Sequence, residues 1–202
     1  MELALLSRRP EGSSPAREKA ALTPAWAAQP VLAALAPRHL DRVDEVVGLL
    51  QARGIPFARW SERKGRSEPL ADDCRLLLID THGELRSVYA ASDLAFVGGS
   101  LIPRGGHNIM EPAWYGVPVV SGSHLRNFQE ESALFRQEDA LLLVEKPDDL
   151  RDALARFLAD PAPFRAAGQR GRRLLERLSG TAGRTLAALD RRGLLPAWPA
   201  TS

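Results

Sequence analysis

Fourteen residues, Gly98-Gly99-Ser100-Leu101-Ile102-Pro103-Arg104-Gly105-Gly106-His107-Asn108-Ile109-Met110-Glu111, join a short apolar run to a helix-like stretch and carry the strongest chemical signal in the chain. Glycines permit backbone angles and a closeness of approach that a side chain forbids. A helix opening at Asn108 would turn its free N–H groups and the positive end of its dipole toward an anion. Gly99, Ser100, Gly105, Gly106 and His107 therefore read as a loop around a phosphate, the mark of a phosphorylated or nucleotide ligand.

Two further segments offer ligand chemistry. Pro37-Arg38-His39 brings a guanidinium, a fixed fork of donors suited to phosphate or carboxylate; the alternative is a surface arginine near a helix start. In Thr81-His82-Gly83-Glu84, a flexible glycine stands beside a carboxylate that either hydrogen-bonds a base edge or complements a helix dipole. Asn108 and Glu111 have the spacing at which a cap side chain and a first-turn carboxylate satisfy each other's backbone N–H groups. Glu111 is equally suited to accept from two ribose hydroxyls, as acidic residues do in other nucleotide folds. His107 fits a loop-orienting role better than that of a general base, and no residue is assigned a catalytic role.

Other chemistries fit less well. There is no G-x-G-x-x-G at the first strand turn and no G-x-x-x-x-G-K-[ST], so a dinucleotide or P-loop site is disfavoured. His39, His82, His107 and His124 lack the pairing of a metalloprotease site, and one cysteine, Cys74, leaves no zinc set and no internal disulfide. Neither a metal nor a cofactor is implied. Ser100 lies outside a nucleophile elbow, which argues against a hydrolase. Lys and Arg number 27 against 25 acids, a net charge of +2 that gives nucleic-acid binding no support. No run reaches the ~18 to 20 apolar residues that span a bilayer, and the first residues lack the order of a signal peptide. Lone Cys74 beside an apolar run points to a reduced, cytoplasmic setting.

The elements that must position these residues alternate. Apolar runs at 31–36, 55–60, 75–80, 94–97, 117–121 and 140–144 suit buried strands. Helix-like segments fall between them at 40–53 (closed by Gly54), 84–91, 109–115 (closed by Gly116) and 128–137. The pattern predicts an α/β Rossmann-like parallel sheet flanked by helices, with ligands at the carboxyl ends of its strands. The last third reads as C-terminal helices: one to 159 with Asp148 as N-cap, one over 163–178, and one over 182–192 after Gly180. Arginines at 165, 170, 172, 173 and 177 crowd the second of these, fitting a solvated face or, alternatively, a membrane-headgroup or partner surface. Residues 1–30, broken by prolines and serines, read as an irregular tail, 31–192 as the nucleotide-binding domain and 193–202 as a second tail.

Taken together, Ala36-Pro37-Arg38-His39 with Arg42, Asp80-Thr81-His82-Gly83-Glu84-Leu85 with Tyr89, and the loop from Gly98 to Glu111-Pro112-Ala113 resemble the 3-deoxy-D-manno-octulosonic acid (Kdo) transferases. Gly116, Pro118 and Asn127-Phe128 extend the likeness, which covers roughly 31–192. The resemblance implies one half, the donor-binding half, of a two-domain GT-B glycosyltransferase that transfers Kdo from CMP-Kdo to the lipid A precursor with inversion. It implies CMP contacts from Pro37, Arg38, His82, Gly83, Glu84, Asn108, Ile109, Met110 and Glu111. By the same resemblance, the catalytic base, the acceptor groove and the peripheral membrane anchor belong to an amino-terminal half, so that this chain alone is expected to be inactive. The parent enzyme would work at the cytoplasmic face of the bacterial inner membrane.

The family carries Met where this chain has His82, so the backbone is the expected contact there. Residues 1–30 lack the family's Thr-His-x-Gly-Glu-Glu stretch, and their Arg, Ala, Pro and Ser content suggests a shifted reading frame. Two alternatives stand beside this reading: a non-catalytic nucleotide-binding module or gene fragment, and a GT-B enzyme that uses a UDP-sugar.

Overall fold

A computed structural model describes residues 2–6, 31–66, 68–71 and 73–191. Seven strands form one sheet: β1 (Glu2–Leu6), β2 (Leu32–Ala36), β3 (Phe57–Arg59), β4 (Leu76–Leu78), β5 (Leu94–Val97), β6 (Val119–Gly122) and β7 (Leu141–Val144), in the order β3-β4-β2-β1-β5-β6-β7. β2 and β3 each pair in parallel with β4, and β5, β6 and β7 pair in parallel with one another. β1 is antiparallel to both β2 and β5, which makes those two parallel to each other. Six strands thus run one way, as the alternation of elements predicts.

β1 corrects the expectation of an irregular tail. The Leu3-Ala4-Leu5-Leu6 run fills the middle of the sheet, pairing Leu5 with Ala33 on one side and with Leu94 on the other. Residues 7–30, on which the reading-frame argument rests, and the tail at 193–202 lie outside the described residues.

Helices cover both faces. α1 (Val43–Ala52) follows a 3-10 turn, Leu40–Arg42; α2 is Trp60–Arg63, α3 Leu85–Ala90, α4 Met110–Trp114, α5 Gln129–Gln137, α6 Pro147–Ala159 and α7 Ala162–Arg191. Side chains alternate across the pleat. Leu94, Phe96 and Val120 pack with Ala153, Phe157 and Phe164 of α6 and α7, while Val97 and Val119 pack with Ile109, Phe135 and Leu174 on the opposite face. α1 closes a third cluster with Val43 and Leu50 over Leu35, Leu76 and Leu78.

Two helical expectations differ from the structure. α6 starts at Pro147 with Lys146 as its N-cap residue, and Asp149 rather than Asp148 accepts from the Glu145 and Lys146 N–H groups, at 3.0 and 3.2 Å. The two expected segments, 163–178 and 182–192, are joined as far as Arg191 in one helix, α7, because an interior Gly180 costs only about 1 kcal/mol relative to Ala; residue 192 lies outside the described residues. No helix among the described residues is long and apolar enough to cross a membrane.

Candidate functional site

Since β2 to β7 run in one direction, the loops leaving their carboxyl ends share one rim of the sheet. The chain leaves β2 toward β3 on one side and β5 toward β6 on the other, so a crevice opens where the order reverses. A cleft of about 410 Å³ lies there, walled by Pro37 and Arg38 after β2 and by Gly99, Arg104, Gly106 and His107 after β5. Residues about 70 positions apart in sequence thus meet across it, as the positions of the strands require.

The cleft is basic. Arg38 and Arg104 are exposed, and neither guanidinium has a hydrogen bond or ion pair among the described residues. Arg42, also in the wall, is tied to Glu45 by Nε and Nη2 at 2.9 and 2.8 Å. Those hydrogen bonds, followed by the charge attraction, hold the Glu45 carboxyl below its ordinary range. Glu45 therefore balances Arg42 and leaves Arg38 and Arg104 available for an anion.

The glycines of the expected phosphate loop are also required by the loop's own packing. Gly99, Gly105 and Gly106 have φ of +68°, +89° and +74°, a region that suits glycine. Their lack of a side chain serves the protein's own packing: a Cβ would stand 2.9 Å from His107 Nε2 at Gly99, 2.6 Å from Asn127 Nδ2 at Gly105 and 2.5 Å from Leu125 Cδ2 at Gly106. The Gly106 N–H donates to the Gly99 carbonyl at 3.0 Å, closing the loop on itself. Ser100 is fully buried; its hydroxyl donates to the Val97 carbonyl at 2.7 Å and accepts from the Gly122 N–H at 2.8 Å. It braces the ends of β5 and β6 beneath the loop, with its hydroxyl engaged by these two backbone partners.

The remaining sequence candidates occupy the same rim without lining this cleft. His82 and Gly83 are exposed, and Gly83 (φ +89°) has no atom within 4 Å of a notional Cβ, so the turn is open to solvent. Glu84 stands at the N-cap position of α3 and takes Lys64 Nζ on Oε1 at 2.6 Å, which lowers its carboxyl pKa against the opposing cost of burial. Asn108 lies one residue before the N-cap position, Ile109, so the expected capping box does not form: its Oδ1 accepts from the Met110 N–H at 3.0 Å, and its Nδ2 donates to Glu111 Oε1 at 3.2 Å. Ile109 is fully buried, so only its backbone can face a ligand, whereas Glu111 is exposed.

Arg104 is the residue that the sequence reading passed over. A charged side chain between two glycine pairs was the available signal. Asp80, at the root of the 81–84 turn, was likewise unassigned as a structural anchor: its side chain, 1% exposed, accepts from Arg59 Nε at 2.7 Å, the Ser61 N–H at 2.7 Å and the Ser61 hydroxyl at 2.6 Å. No group of histidine, cysteine or acidic residues among those described could hold a metal.

A parallel sheet with a basic cleft at its order reversal defines an α/β, Rossmann-like domain of the GT-B glycosyltransferase class. No family model matches the chain. It is 38% identical over 159 residues to the 3-deoxy-D-manno-octulosonic acid transferase of Bordetella pertussis, covering 77% of this chain and 36% of that protein. The Chlamydia muridarum transferase is 36% identical over 69% of this chain and 31% of its own length. Among solved structures, the C-terminal CMP-Kdo binding domain of WaaA from Acinetobacter baumannii matches with a TM-score of 0.65 and 34% identity, over 70% of this chain and 72% of that one. The chain belongs to the 3-deoxy-D-manno-octulosonic acid transferase family, and it spans about a third of the length of the curated relatives it matches.

Proposed function

We propose that residues 31–192 form the donor-binding unit of a Kdo transferase, holding CMP-Kdo while Kdo passes to a lipid A precursor. The observation that carries this reading is the pair of unpartnered guanidiniums, Arg38 and Arg104, facing one cleft at the sheet's reversal point. The cytidylate phosphate lies between them. As the bond to the sugar breaks, negative charge gathers on that phosphate, and donors fixed in advance stabilise the departing CMP.

The ribose hydroxyls lie near Glu111, whose second carboxylate oxygen has no hydrogen bond among the described residues. The base lies toward the open turn of His82, Gly83 and Glu84, where Gly83 leaves room for a planar ring. Asn108, Ile109 and Met110 supply backbone to the same rim, and Pro37 closes its far side. The base that deprotonates the acceptor, the acceptor groove and the contact with the cytoplasmic face of the inner membrane come from the part of the relatives that this chain does not match.

Calorimetric titration with CMP, UMP and ADP tests the reading. CMP is expected to bind most tightly, R38A to weaken it about 10- to 100-fold through loss of a charge-assisted hydrogen bond, and E111Q to weaken it less. A preference for UMP or ADP overturns the assignment. A variant folded like the wild type that binds CMP unchanged overturns the role of the residue replaced.

A further inference from the structure

A second cleft, of about 500 Å³, opens on the other face of the 103–106 segment and is used by nothing in the proposed donor site. Its walls are Pro103 and Gly105 from the loop after β5, Ser123 and His124 from the loop after β6, and Arg126 and Arg136. Arg126 sits in the 3-10 turn Arg126–Phe128, and Arg136 in the last turn of α5. Both are exposed, and neither guanidinium has a hydrogen bond or ion pair among the described residues.

Several other arginines pair with acids, as Arg42 does with Glu45 and Arg172 with Glu176. Here the acids are turned elsewhere. No carboxylate lines the cleft. Glu138, just beyond Arg136, is held by Arg177 at 2.6 Å, and Glu130 and Glu131 lie in the first turn of α5 outside the walls. Glu145 reaches only the rim, accepting from the Ser123 hydroxyl at 2.8 Å. A concave surface of one sign concentrates its field in the opening, and two guanidinium forks match the oxygens of a planar or tetrahedral anion.

We propose that this cleft is a second oxyanion site, taking a carboxylate or phosphate group. It is separated from the first cleft by a common wall, since Asn127 faces the first and Arg126 the second. The anion comes either from the sugar acid of a ligand whose nucleotide fills the first cleft, which rests on the donor reading above, or from a separate phosphorylated sugar, which does not.

The test uses the R38A/R104A variant, in which the first cleft is disabled, titrated with inorganic phosphate and followed by the backbone amide NMR signals of the second cleft's walls. Saturable shifts at Gly105, Ser123 and His124 are expected, with the apparent affinity weakened at least tenfold when R126Q/R136Q is added. A charge-matched control, R53Q/R151Q, should leave them unchanged; equal loss in the control overturns the proposal. In the otherwise wild-type chain, a tenfold loss of CMP-Kdo affinity with unchanged CMP affinity in R126Q/R136Q assigns the anion to the donor's carboxylate. Loss confined to phosphate assigns it to a separate ligand, and no loss in either titration overturns the site. If the donor reading fails, CMP does not bind the wild type, while the phosphate arm still reports on this cleft.

Discussion

The backbone N–H of Asn127 donates to the Gly105 carbonyl at 3.0 Å, while the Asn127 side-chain amide fills the space, 2.6 Å away, where a Gly105 Cβ would stand. The two residues lock the loop after β5 to the turn before α5 and so divide one cleft from the other. G105A is therefore expected to destabilise the fold in two ways: overpacking, typically 1–3 kcal/mol, and the cost of a side chain at φ +89°, about 1–2 kcal/mol. Adding N127A should relieve the first and leave the second. Thermal unfolding of the two single variants and the double checks this, and full recovery in the double would rule out the backbone contribution.

Asp80 gives the fold a pH dependence of known sign. Burial by itself would raise its carboxyl pKa, but the Ser61 hydroxyl and N–H, together with Arg59, outweigh burial and bring it below the ordinary 3.8. A carboxyl depressed on folding contributes stability that is fully present above the unfolded pKa and is lost as pH falls through the folded value. The stability gap between wild type and D80N should be wide at pH 7, about 1–3 kcal/mol for a buried acceptor of this kind, and should close below about pH 4. Urea denaturation at pH 7, 4.5 and 3 reads it; a gap independent of pH would mean the negative charge is not its source.

Gly168 and Gly48 are predicted to behave oppositely when changed to alanine. A Cβ on Gly168 would lie 2.2 Å from the Gly116 carbonyl oxygen, a backbone atom that cannot rotate away, so G168A must push α7 off the turn before β6. Gly48 in α1 has nothing within 4 Å, and G48A gains helix propensity, roughly 0.5–1 kcal/mol. Calorimetric melting should show G168A below and G48A above the parent.

Removing the Ser100 hydroxyl leaves the Gly122 N–H buried without its partner, at a cost of about 1–3 kcal/mol. S100A should lower stability while weakening CMP affinity less than R38A does, since that hydroxyl points into the sheet. A variant as stable as the parent but unable to bind CMP would instead make Ser100 a direct ligand.

The sheet was legible because buried parallel strands leave short apolar runs, and 94–97 coincides with β5. Its rim was legible for the same reason, because the direction of six strands fixes where their loops go. Proline-rich neighbours hid β1, whose place depends on strands far along the chain. The turn glycines were visible, but their crowding by Asn127 and Leu125 depends on tertiary partners that no local pattern encodes. Asp80 escaped for a similar reason: its partners Arg59 and Ser61 lie 21 and 19 residues away.

β1 sets the spacing of the first cleft. It is the rung between β2 and β5, and neighbouring strands stand about 4.8 Å apart. Two such steps hold the Arg38 bank and the Arg104 bank on strands roughly 10 Å apart. Five residues at the start of the chain thus act as a spacer bar, and slipping them out would let the two leaflets of the sheet close up or drift apart, changing the size of anion that the gap admits.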